Sequence, residues 1–200
     1  GSGAEAFLNA LTANDVSVLE VGSAHYSYLL GVDGIPIDDI FIYRLAPDYF
    51  IMVVNASNND KDWAWIQGLK EGEYQADADY PGTRLPGRRD FTLRDLRDPA
   101  LGDERRVDIA LQGPASRDIL LSLHGSPEDK ARVKALPWAG VTRANLGGYD
   151  LIVARTGYTG ERVAYELFID PDQAPALFKD LVESGATPIG LSVSDTPPTE

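Results

Sequence analysis

Apolar positions at 4, 7, 8 and 11 recur at helical spacing, so residues 4–11 predict a short amphipathic helix, with Asn14-Asp15 beyond it as a stop. Three strand-length apolar runs follow, at 21–30, 37–45 and 49–55, separated by turn residues Val32-Asp33-Gly34 and Ala46-Pro47-Asp48. They predict an antiparallel meander. Helical periodicity returns with Asp62, Trp63, Ile66 and Leu69, from a cap at Ser57 or Asn58 to a stop at Gly72, and the tryptophans there are expected in the core. Residues 73–106 lose the pattern: Pro81, Gly82, Pro86, Gly87, Pro99 and Gly102 punctuate a polar stretch. Arg84, Arg88, Arg89, Arg94 and Arg97 alternate there with Asp90, Asp95 and Asp98, as expected of a solvated mixed-charge connection.

The second half repeats the first. A strand at 107–111, a helix opened by Gly113-Pro114 and running to about 123, strands at 141–146, 149–154 and 163–169, and a helix at 172–183 ending at Gly185 complete the chain. Three strands followed by a helix thus occur twice. The fold class expected is α+β, with two related antiparallel sheet-plus-helix subdomains, about 15–72 and 107–185, around a shared crevice and joined by the excursion 73–106. Crevices of this kind favour ligands.

One break in the apolar pattern stands out. Asp38 and Asp39 sit inside the run Ile37 to Tyr43, and because strand neighbours face opposite ways, Asp39 shares a face with Ile37, Phe41 and Tyr43 while Asp38 shares one with Ile40 and Ile42. An unpartnered carboxylate in apolar surroundings costs several kcal/mol, which gives at least one of the pair a hydrogen-bonding task. A pair that only starts a strand after the Asp33-Gly34 turn is the alternative that these residues leave open.

Composition narrows the chemistry. A hydrophobic share of 44% with 24% charged residues fits a globular chain, and a net charge of −13 argues against a general nucleic-acid surface or an acidic membrane surface. The absence of cysteine removes thiol nucleophiles, disulfides and thiolate metal sites, and His25 and His124 lack ligand-like spacing to a third donor, so no metal is expected. No apolar run approaches membrane-spanning length, which gives the expectation of a cytoplasmic protein, or a mitochondrial-matrix one if eukaryotic. Thr156-Gly157-Tyr158-Thr159-Gly160-Glu161 lacks the lysine of a phosphate loop and reads, alone, as a hairpin turn.

Taken in order, six motifs resemble one family. Thr12-Ala13-Asn14-Asp15-Val16, Tyr26-Ser27-Tyr28-Leu29-Leu30, Ile37-Asp38-Asp39-Ile40, Val53-Val54-Asn55-Ala56-Ser57-Asn58, Leu111-Gln112-Gly113-Pro114 and Arg155 through Glu161 are similar, in order and spacing, to the aminomethyltransferase (T-protein) family of the glycine cleavage system. The resemblance covers nearly all 200 residues. It implies a folate-binding core over 4–200, with the family's third, β-rich domain absent, and transfer of a one-carbon unit from an aminomethyl group on the lipoyl arm of a carrier protein to tetrahydrofolate, with release of ammonia.

By the same resemblance Asp39 is the catalytic aspartate, Tyr26 and Tyr158 line the folate pocket, Glu166 binds the pterin ring, and Asn55 is a polar contact at a strand end, where a helix cap is the simpler alternative. A carboxylate beside reacting nitrogens can orient them and balance developing positive charge. Three departures accompany the match. A leading segment of several dozen residues and the third domain have no counterpart, Arg162-Val163-Ala164 stands where many members carry Asp-Gly, and Ser194, followed by Pro197-Pro198, replaces the arginine expected to clamp the folate carboxylate. The alternatives are a folate-dependent demethylase relative and a non-catalytic module that keeps the fold; the cluster-assembly relatives carry a cysteine motif that this chain lacks.

Overall fold

A computed structural model describes residues 1–79 and 90–190, and the chain divides into two compact units, Gly1–Asp95 and Leu96–Glu200. Arg84, Arg88, Arg89, Ser194 and the two terminal prolines lie outside the described residues.

The first unit is built on a three-stranded antiparallel sheet. Helix α1 (Ala4–Leu11) is followed by strands β1 (Ser23–Leu30), β2 (Pro36–Ala46) and β3 (Tyr49–Val53), then helix α2 (Asn59–Glu71), with strand order β1-β2-β3. The meander and both helices match the periodicity. Strand alternation sorts the side chains: Leu29, Ile40 and Ile42 point to one face, where Phe7, Leu8 and Leu11 of α1 and Ile66 and Leu69 of α2 close over them as the unit's core. α2 stops at Gly72, whose φ of +78° suits a residue without Cβ and whose N–H reaches back to the last turn. Trp63 and Trp65 are half-buried, and Trp65 packs against this core from its rim. Trp65 stacks on Tyr74 with ring centroids 5.3 Å apart and donates its indole N–H to the Leu30 carbonyl at 3.1 Å, so its polar edge needs a rim position.

The second unit has four antiparallel strands. β4 (Val107–Gln112), α3 (Ser116–Ser122), α4 (Pro127–Ala135), β5 (Val141–Leu146), β6 (Tyr149–Ala154), β7 (Ala164–Ile169) and α5 (Ala174–Glu183) follow in sequence, and the sheet order is β4-β7-β6-β5. Its core gathers Leu111, Leu120, Val133, Leu146, Leu151, Val153, Tyr165, Leu167, Ile169, Leu177 and Leu181. Two features differ from the sequence reading. α3 starts at Ser116 rather than at Gly113-Pro114, since Gly113 has a φ of +125°, and α4 was not expected at all. Ser126 caps α4 by accepting the Asp129 N–H, with Pro127 in its first turn.

Candidate functional site

The acidic pair divides as strand alternation requires. Asp38 is only 5% exposed, on the helix-covered face, and Asp39 is exposed on the opposite face. In register, Asp39 pairs with Tyr28, Phe41 with Tyr26, and Tyr43 with Ala24. Tyr26, Tyr28, Phe41 and Tyr43 therefore form a continuous aromatic strip: ring centroids lie 5.3 Å apart for Tyr26 and Tyr28, 5.9 Å for Tyr26 and Phe41, and 5.7 Å for Phe41 and Tyr43. Asp39 stands at its end. Tyr26 and Tyr28 are 41% and 42% exposed, leaving much of their rings open to a flat ligand.

What fixes the acids is the chain just past β3. Phe41 opposite Val53 is the last β2–β3 pair, so Asn55 falls across from Asp39 where the ladder has ended. Its backbone N–H goes instead to Asp38 Oδ2 at 2.9 Å, and its Nδ2 reaches Asp38 Oδ1 at 3.0 Å, Asp39 Oδ1 at 2.9 Å and the Asp39 carbonyl at 3.2 Å. Asn55 is thus a strand-end contact, not a helix cap. Asn58 occupies the N-cap of α2 yet its side chain does not cap; Nδ2 donates to Asp38 Oδ1 at 2.5 Å, while Lys61 Nζ bridges the Asn58 Oδ1 and the Ile37 carbonyl.

A third carboxyl backs this arrangement. Asp62 of α2 is fully buried against Asp38, and neither of its oxygens accepts a hydrogen bond from another residue. Burial, the hydrogen bond to Asp38 and repulsion by its charge raise the Asp62 pKa to about 7, against a smaller pull from Lys61. Burial pushes Asp38 up too, but the donors from Asn55, Asn58 and Asp62 outweigh it and hold Asp38 below the ordinary carboxylate range. Below about pH 7 Asp62 therefore keeps the proton of the pair, and Asp38 is the anion. On the open face, hydrogen bonding toward Tyr28, desolvation, and hydrogen bonding toward Asp39 push the Tyr26 phenol up, so it stays protonated at neutral pH.

The second unit holds the other two expected residues. Glu166 lies on β7 at 7% exposure, opposite Ala110 of β4 and Ala154 of β6, and the Thr156 hydroxyl donates to its Oε2. Tyr158 is 73% exposed in the β6–β7 connection. That connection is the hairpin its glycines suggest: the Glu161 carboxylate accepts the N–H groups of Arg162 and Val163, at 2.7 and 3.2 Å, and Gly160 takes a φ of +80°. Gly157 has a packing reason instead, because a Cβ there would sit 2.6 Å from the Ala164 Cβ and 3.0 Å from Gln112 Nε2. Asp38 was identified by sequence only as half of a pair; Asp62, Asn58 and Thr156 were missed as site residues. Asp62 carried a readable signal, an acid on the same helical stripe as Ile66 and Leu69.

Among the described residues no cluster of three or more His, Cys, Asp or Glu is placed to hold a metal, and no helix is long and apolar enough to cross a membrane. The first site offers an acceptor at the end of an aromatic strip, and the second a buried carboxylate with one oxygen already hydrogen-bonded. Both suit a flat, nitrogen-rich ligand.

Known proteins have a similar sequence and fold. The aminomethyltransferase of Thermus thermophilus is 38% identical over 196 residues, covering 98% of this chain and 48% of its own length, and that of Deinococcus deserti is 36% identical over 196 residues, covering 98% and 47%. The crystal structure of the glycine cleavage system aminomethyltransferase T from Bartonella henselae superposes with a TM-score of 0.61 at 25% identity, over 89% of this chain and 40% of that one. The chain spans about half the length of the curated relatives it matches. The family model described as the GCVT N-terminal domain matches residues 1–197, and the chain belongs to that family.

Proposed function

We propose that this chain is the tetrahydrofolate-binding part of an aminomethyltransferase of the glycine cleavage type, with Asp39 as its catalytic residue. The observation that carries the reading is Asp39 itself: a carboxylate tied by Asn55 and set beside the protonated Tyr26 at the end of an aromatic strip. Tetrahydrofolate supplies the nitrogens that take up the one-carbon unit. The donor is an aminomethyl group on the lipoyl arm of a carrier protein, and the amine leaves as ammonia.

The chain's own residues do four things in this scheme. Asp39 accepts an N–H of the reacting ligand and balances the positive charge that develops as carbon–nitrogen bonds form and break. Tyr26, with Tyr28 beside it, offers a ring face for stacking and a hydroxyl that stays a donor. In the second unit Glu166, one oxygen of which takes the Thr156 hydroxyl, accepts N–H groups from the guanidine-like edge of a pterin, and Tyr158 supplies an exposed ring. Asn55 serves as the tether of Asp39.

Calorimetric titration with tetrahydrofolate tests this. The chain should bind, and Glu166→Ala and Asp39→Ala should each weaken binding by roughly tenfold or more, the loss of one charge-assisted contact. A chain that takes up no tetrahydrofolate refutes the reading. That outcome would favour the second one, a non-catalytic interaction module, for which Ser194 in place of the family's arginine is the specific observation.

A further inference from the structure

The Asp38 carboxylate lies on the wrong face of β2 to touch a ligand beside Asp39, yet it accepts three hydrogen bonds, from the Asn55 N–H, Asn55 Nδ2 and Asn58 Nδ2. The ladder between β2 and β3 stops at Phe41–Val53, and two residues later the Asn55 N–H meets a side-chain carboxylate where a regular sheet would offer a strand carbonyl. Asp38 therefore sets where the chain after β3 runs. Because Asn55 Nδ2 spans from Asp38 Oδ1 to Asp39 Oδ1, the position of one carboxylate is transmitted to the other through a single amide group.

Resting on the reading that Asp39 is the catalytic group, we infer that Asp38, clamped by Asn55 and Asn58 and backed by the Asp62 carboxyl, is the positioning residue that fixes Asp39 through the Asn55 amide. The chemistry requires an anion at Asp38. Three donors converge on it, and an amide in its place would turn an NH2 toward at least one of them. Asp62 serves the opposite requirement. Packed on Asp38 with neither oxygen accepting a bond from another residue, it donates to Asp38 only while it keeps its proton, and ionising it would set two buried charges against each other. Helix α2 thereby supports the clamp from behind, through Asn58 at its N-cap and Asp62 one turn later. A mobile carboxylate at position 39 would have to be ordered anew at each encounter with ligand, whereas a tethered one is already in place.

The test couples two measurements. In the ligand-free chain, the Asp39 χ1 rotamer is followed by NMR three-bond couplings in the starting protein and in Asn55→Ala, Asp38→Asn and Asp62→Asn. Positioning through Asn55 requires one populated Asp39 rotamer in the starting protein and in Asp62→Asn, whose amide keeps a donor on Asp38, and averaging over rotamers in Asn55→Ala and in Asp38→Asn. Asp39 couplings that are the same in all four proteins overturn the inference. This arm holds whether or not folate binds, so failure of the folate reading, which shows as no heat with the starting chain, is distinguishable from failure of the positioning.

The second arm is a double-mutant cycle on tetrahydrofolate affinity. Asp38→Asn and Asp39→Asn should each weaken binding roughly tenfold, and the double variant little more than either alone, because Asp38 acts only through Asp39. Roughly hundredfold weakening in the double variant, the product of independent effects, overturns the inference. Asn55→Ala, an exposed position on the far side of the clamp, takes the place of Asp38→Asn in the cycle if that variant does not fold.

Discussion

Replacing Asp62 by asparagine should make the protein less sensitive to alkali, and the size of the effect follows from the buried pair. Asp62 has a folded pKa of about 7, raised by burial and by Asp38, against about 3.9 for an unfolded aspartate. Between those values the folded state holds a proton that the unfolded state has lost, so the stability this proton contributes is complete below about pH 4 and is lost as pH rises through 7. Asp38 runs the other way: its pKa lies below the usual range, so its contribution is lost only as pH falls through that lower value, outside this window. The amide introduced by Asp62→Asn would keep an N–H donor on Asp38 and has no proton to lose. From pH 5 to pH 8 the wild-type chain should therefore lose about 2–3 kcal/mol relative to Asp62→Asn, the linkage expected for crossing a folded pKa of about 7. Urea unfolding of both proteins at pH 5, 6, 7 and 8 measures it directly. The gap should widen steadily to about pH 7 and then level off. A gap constant across all four pH values would refute the shared-proton description of Asp38 and Asp62.

Other perturbations have equally definite outcomes. Asp38→Ala strands the Asn55 and Asn58 donors and removes the counterpart of Asp62, and should cost about 3–5 kcal/mol in urea unfolding at pH 6. Gly157→Ala forces a Cβ to within 2.6 Å of the Ala164 Cβ and should cost about 1–3 kcal/mol, read as a lowered melting temperature. Ser126→Ala removes the N-cap bond of α4 and should cost about 1 kcal/mol, with Ser126→Asp restoring most of it.

Much of the fold could be read from spacing because local rules and tertiary packing agree there. The helix at 4–11 and the strands at 141–146 and 149–154 have the expected bounds, their apolar positions being those that the core buries. α4 escaped because Val133 is its only buried residue, leaving almost no apolar stripe; its legible signal was chemical, the run Ser126-Pro127-Glu128-Asp129 of a capped start. β3 ends earlier than its apolar run for a reason no window can hold: Asn55 finds its acceptor on Asp38, seventeen residues upstream.

The candidate site was half legible for the same kind of reason. Two adjacent carboxylates in an apolar strand announce a task, and period-two alternation assigns them to opposite faces. Which of the two is the buried anchor and which the exposed acceptor depends on where α1 and α2 pack, so the division needed the fold. Asp62 shows the limit most clearly. Its place on the apolar stripe of α2 was visible, but its partner lies twenty-four residues away, on the sheet face that α2 covers, and only the pair explains why an acid is tolerated there.

The central claim is that Asp39 acts on the ligand during the reaction. Its most direct test is the single-turnover rate of one-carbon transfer from an aminomethylated lipoyl carrier at saturating tetrahydrofolate, compared between the starting protein and Asp39→Asn. The expected result is a rate at least a hundredfold lower in the variant, on the order of what one well-placed charged group contributes, with folate still bound. An undiminished rate in Asp39→Asn would contradict it and remove the residue from the chemistry.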